Sequence, residues 1–158
     1  MTKLIRAIFA MGVLTLLLTW HSCAFAQVLN PRQALVNLYR AAQRIIKDPG
    51  SEYKKDASPD FPRPSEIQTQ WDASMAAHGN DLTPEERKQF IPCAAHLNAA
   101  ITDTEIGYRI QISQPNNPPA QESARKRLDE AQPEVAKCAS AYELAMSEIA
   151  KASATKPQ

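Results

Sequence analysis

"TPEERKQFIPCAAHLNAAITDTEIGYRIQIS", Thr83 to Ser113, decides the fold. Thr83 can cap a helix, Pro84 suits its first position, and Glu86 sits three residues on, where a capping-box partner belongs. Phe90, Ala94, Leu97, Ile101, Thr104, Tyr108 and Ile112 then recur in steps of three and four, the spacing of one helix face. Pro92 interrupts this run. It lacks an N–H and its ring crowds the carbonyl of Lys88, so a kink or break is expected there.

Outward from this helix, "SQPNNPPA" reads as a turn, and a second long run follows from about Pro119 to Lys151. Ala124, Leu128, Ala131, Val135, Cys138, Tyr142, Ala145 and Ile149 form its seam, with a bend expected at Pro133. Two long helices joined by a short turn pack antiparallel. The expected spine is therefore a hairpin spanning residues 84–151.

Upstream, Asn30 caps and Pro31 opens a shorter helix of 17 residues with Leu35, Leu38, Ala42, Ile45 and Ile46 on one face. Gln33 stands at the capping-box position. Another short helix begins at Ser65, with Ile67, Trp71, Met75 and His78 aligned, and Gly79-Asn80 stops it. Between the two lies the proline-rich connection 48–64, with prolines at 49, 59, 62 and 64. The expected class is all-α: a helical bundle built on the long hairpin, with the two shorter helices packed on part of it and a frayed tail at 152–158.

The N-terminal residues set the expected compartment. Lys3 and Arg6 precede the apolar run "AIFAMGVLTLLLTW", and Ala24-Phe25-Ala26 offers small residues at a cleavage site. This is the pattern of a secretory signal peptide over residues 1–26, too short in its apolar core for a membrane span. Lipidation at Cys23 would want small residues just before it, and of Trp20, His21 and Ser22 only the serine fits. The expected mature chain, 27–158, is one domain by size, released to the periplasm or secreted, with no stable membrane insertion.

Its composition is narrow. Leu, Ile, Val and Phe number 21 of the 132 residues from Gln27 onward, and alanines number another 21. Alanine favours helix and lets helices approach closely, so narrow seams are expected rather than a roomy interior. Without Lys3 and Arg6 the chain carries 16 basic and 17 acidic residues. Neither sign is in excess, which removes the usual basis for binding nucleic acid or anionic lipid.

Cys93 and Cys138 are the two cysteines beyond Cys23. Covalent haem needs C-x-x-C-H, and Cys93-Ala94-Ala95-His96 has one thiol with the histidine displaced. A metal site would have to recruit His78, Cys93, His96 and Cys138 together. An oxidising compartment favours a disulfide between the two thiols instead. Their midpoint falls in the QPNNPP turn, so in an antiparallel hairpin the two lie level, each roughly 30 Å from the turn. Closing the 45-residue loop would stabilise the fold by ~4 kcal/mol in the chain-entropy model.

Catalytic signatures are missing. There is no H-E-x-x-H, no G-x-S-x-G and no phosphate-cradling glycine loop; the only glycines beyond residue 26 are 50, 79 and 107. His96 and Asp103 stand one heptad apart and would make an acid–base couple only if they met. Trp71 shares a stripe with Ile67 and Met75, which suits a core anchor better than a ligand pocket. Tyr53 and Phe61 stand in the proline-rich connection with no periodic face to bury them, which makes them candidate contacts for a partner. The expectation is a non-enzymatic protein without cofactor that binds another protein, of inhibitor, immunity or assembly type. The alternative is a bundle that binds a small ligand or a metal ion.

Overall fold

The computed structural model describes residues 28–50 and 64–155. The expected signal peptide and its cleavage site, most of the proline-rich connection, and residues 156–158 lie outside the described residues. Five helices pack together, and no strand occurs among the described residues, so the chain is an all-α bundle. They are α1 (Pro31–Lys47), α2 (Pro64–His78), α3 (Pro84–Ser113), α4 (Pro118–Ala136) and α5 (Ala139–Ala154). A 3-10 turn, Gly79–Asp81, joins α2 to α3.

The helix starts follow their local chemistry. Asn30 Oδ1 accepts from the Arg32 N–H at 2.9 Å, with Pro31 in the first turn. Thr83 and Glu86 form the reciprocal capping box, with Glu86 N–H donating to Thr83 Oγ1 at 3.2 Å and Thr83 N–H to Glu86 Oε2 at 2.8 Å. Gln33 makes no such return contact. Its amide donates forward to Asn37 at 3.2 Å.

The α3–α4 pair is the most extensive helix contact, as the hairpin reading requires. Gly107 permits the close approach. A Cβ there would stand 3.0 Å from the Ala124 carbonyl oxygen and 3.1 Å from Leu128 Cγ. The core side of α3 buries Phe90, Cys93, Ala94, Leu97, Ala100, Ile101, Thr104 and Gly107. The expected stripe runs out beyond that point: Tyr108 is half-buried and Ile112 is 58% exposed.

Several details bear on these expectations. Of the kink or break expected at Pro92, the break does not occur: α3 is continuous from Pro84 to Ser113, with the proline on the solvent side. The second arm of the hairpin is not one long helix. Past Pro133 the backbone bonding tightens at Cys138, whose N–H donates to Val135 O at 3.0 Å rather than to the carbonyl four residues back. That turn separates α4 from α5 and sends α5 chiefly against α1. Residues 152–154, expected to fray, complete the last turn of α5.

A further detail is the rank of α1. It buries nine of its 17 residues, adding Val36, Tyr39 and Ala41 to the expected face. An arc that wide must be covered on several sides. Accordingly α1 touches all four other helices and forms the centre of the bundle, while α2 packs mainly on α1 rather than along the hairpin. Ser74, fully buried on α2, donates to the Leu29 carbonyl at 2.6 Å and ties α2 to the segment entering α1.

Candidate functional site

The bonds that hold the framework account for many of the chemically interesting residues. Glu86 is almost fully buried, and it accepts a forked pair of hydrogen bonds from Arg32, Nε to Oε1 at 2.6 Å and Nη2 to Oε2 at 2.7 Å. Burial opposes the charge on Glu86. The Arg32 guanidinium and the Thr83 N–H outweigh it and hold the carboxyl below its usual range. The pair fastens the first turn of α1 to the first turn of α3, which is a structural task.

His96 and Asp103 do not meet. His96 Nδ1 pairs with Glu134 Oε2 and Asp103 Oδ1 with Arg127, each across the hairpin on α4. Seven residues of helix separate the two side chains by about 10 Å along the axis, and each finds a nearer partner on the facing helix. Glu134 also accepts from Lys137. The hydrogen bonds from Lys137 and His96 lower its pKa. His78 stands beside Asp81 at 3.3 Å, at the far end of α2. The residues considered for a metal, His78, Cys93, His96 and Cys138, therefore do not converge. Among the described residues no group of three or more His, Cys, Asp or Glu is placed to hold a metal ion.

Cys93 and Cys138 do come together. Both are buried, and the Cys138 thiol donates to the Cys93 carbonyl oxygen at 3.1 Å. Hydrogen bonding with Cys138, together with burial, pushes the Cys93 thiol up. Tyr39 of α1 lies against the same junction and stacks on Tyr142 of α5, with ring centroids 4.4 Å apart. Burial, with the thiol of Cys138 and the ring of Tyr142 nearby, raises the Tyr39 hydroxyl.

Ile67 and Trp71 are core residues and Met75 packs against the core, so Trp71 anchors α2. Tyr53 and Phe61 lie outside the described residues. An open groove of about 590 Å³ separates the start of α1 from the end of α5. Its cations are already engaged, Arg32 with Glu86 and Lys151 with Glu148 at 2.7 Å.

The feature that sequence reading passed over is the outer face of α3. Ile91, Pro92, Ala95, Ala99, Thr102 and Ile106 are all exposed and all uncharged. Ile91 and Ile106 expose 50% and 37% of their surface, so both present apolar area to solvent. The outer faces of α1 and α4 differ: Arg40 and Lys47 stand on one, Glu122, Arg125, Lys126, Asp129 and Glu130 on the other. Exposed Lys88 and Arg109 bracket the strip, about 32 Å apart along the helix. The signal was present in the sequence as a second set of uncharged residues at helical spacing, out of phase with the core stripe.

Compared with models of known protein families, with curated proteins and with solved structures, the chain matches none.

Proposed function

We propose that this is a small exported, non-catalytic helical protein that acts by binding another protein, in the cell envelope or outside the cell. The observation that carries the reading is the uncharged strip on the outside of α3. Buried interface centres are depleted of charge and rimmed by polar groups, and the strip has that layout, with Lys88 and Arg109 at its ends. The partner that fits is a protein with an apolar ridge of helical dimensions and an acidic residue placed to meet Lys88.

The small-ligand alternative rests on the groove between α1 and α5, which is open and has its charges paired within the protein. Ligand sites are more enclosed and keep polar groups aimed at the ligand.

The test is affinity capture from an extract of its own envelope, followed by reconstitution of the complex from purified components. Ile106→Glu and Lys88→Glu alter only exposed side chains, so folding should persist and circular dichroism will check it. Supporting the reading requires a stoichiometric complex that both changes weaken by more than about tenfold, each loss being ~1.4 kcal/mol. A partner whose affinity ignores both changes would remove α3 from the interface. Tyr53→Ala and Phe61→Ala, measured alongside, report whether the proline-rich connection contributes.

A further inference from the structure

The thiol junction lies where the chain turns from α4 into α5, and α5 is the helix least secured by burial. Of its sixteen residues only Ala141 and Ala145 are buried, supplemented by the Tyr39–Tyr142 stack and by half-buried Leu144 and Ile149. Cys138 is the residue immediately before α5, and Cys93 sits on the core side of α3. A covalent link between them would fasten the root of α5 to the hairpin and so hold its alanine seam on α1.

We infer that Cys93 and Cys138 form a disulfide that locks α5 onto α1, and that the bond is set while α5 is lifted. The inference is independent of the partner-binding reading. Geometry supplies the approach, since the Cys138 sulfur already lies 3.1 Å from the Cys93 carbonyl oxygen. Burial supplies the order of events. With Cys93 3% exposed and Cys138 fully enclosed, an external oxidant has no route to either sulfur in the docked state.

The oxidant is a disulfide compound, either glutathione disulfide or the active-site disulfide of a thiol oxidoreductase. When α5 lifts, the Cys138 thiol gives up its proton and its sulfur attacks one sulfur of the oxidant. The oxidant's S–S bond breaks, one thiolate leaves, and a mixed disulfide remains on Cys138. Deprotonated Cys93 then attacks the Cys138 sulfur, the Cys93–Cys138 bond forms, and the second thiolate leaves. The two expelled thiolates take up the two protons that the cysteines lost. The protein is oxidised by two electrons and the oxidant is reduced to two thiols. Redocking of α5 then shields the bond from reductants by the same burial.

The test uses the purified full chain, first reduced and then incubated with glutathione disulfide. Peptide mapping should find Cys93 joined to Cys138. Hydrogen exchange read by mass spectrometry should slow by more than about tenfold across residues 139–154, with a smaller change across 84–113. Bond formation should be slow in native buffer and accelerate in urea too dilute to unfold the bundle. Cys93→Ala should fold, exchange like the reduced chain, and show no response to the oxidant beyond a mixed disulfide. If both thiols alkylate in denaturant after the oxidant treatment, no bond forms and the inference fails. A bond that leaves exchange in 139–154 unchanged refutes the lock. Rapid oxidation in native buffer, unaffected by dilute urea, refutes the order of events.

Discussion

The Arg32–Glu86 fork joins two helix starts that are 54 residues apart in sequence, and Glu86→Gln isolates the charge in it. Glutamine keeps the size and an oxygen that can accept from the Thr83 N–H, so the cap survives while the ion pair does not. The side chains are 5% and 18% exposed for Glu86 and Arg32, which places the pair between the two limits of screening. Exposed pairs contribute under ~1 kcal/mol, whereas removing one partner of a buried pair costs about 3–5 kcal/mol. Glu86→Gln should therefore cost about 2 kcal/mol, and Glu86→Ala, which also opens the capping box, about 3 kcal/mol. In a chain of this size the first loss lowers Tm by roughly 4–8 °C.

The pH dependence gives the sharper check. The folded carboxyl of Glu86 titrates below the unfolded value, since its bonds to Arg32 and Thr83 more than offset burial. Its contribution is complete above the unfolded glutamate pKa of about 4.3 and disappears as pH falls through the folded pKa. Urea unfolding of the natural chain and Glu86→Gln at a series of pH values should show a gap that is full at neutral pH and closes in acid. A double-mutant cycle with Arg32→Met should return a coupling of ~1–2 kcal/mol. A loss below ~0.5 kcal/mol, or a gap of equal size at neutral and strongly acid pH, would refute the assignment of the fork as a stabilising charged pair.

Three further outcomes are expected. Phe90→Ala, at a fully buried site on α3, should cost about 3–5 kcal/mol by urea unfolding, and a cost under ~1 kcal/mol would mean the core closes over the gap. Gly107→Val should destabilise, because a Cβ meets the Ala124 carbonyl oxygen at 3.0 Å and overpacking of ~1–3 kcal/mol exceeds the helix-propensity gain of under ~1 kcal/mol. A rise in Tm would place α4 farther from α3 than the structure does. Pro92→Ala should stabilise by about 1–2 kcal/mol, since an exposed site in an unbroken helix regains a backbone donor and loses a ring clash, partly offset by a freer unfolded chain. A lower Tm for that variant would show that the proline shapes α3 in a way its neighbours need.

What the sequence determined by itself was local. Helix starts at Asn30 and Thr83, the hairpin turn and the α3 stripe from Phe90 to Thr104 depend on residues within a few positions of one another, and the structure reproduces them. The nearness of Cys93 and Cys138 was also legible, because two helices joined by a short turn hold equidistant residues level. The centrality of α1 was not legible from a single stripe. Its additional buried residues, Val36, Tyr39 and Ala41, gain meaning only when several helices pack around the same helix. The division of the second arm into α4 and α5 followed the same logic. Pro133 weakens one helical bond locally, but where the chain then points is decided by Tyr142 finding Tyr39 and by the burial of Ala141 and Ala145. The partners of His96 and Asp103 likewise lay on another helix, beyond any spacing argument. Which face of α3 stays outside is settled by what covers the other faces, so the Ile91–Ile106 strip became a surface only once the bundle had closed around α1.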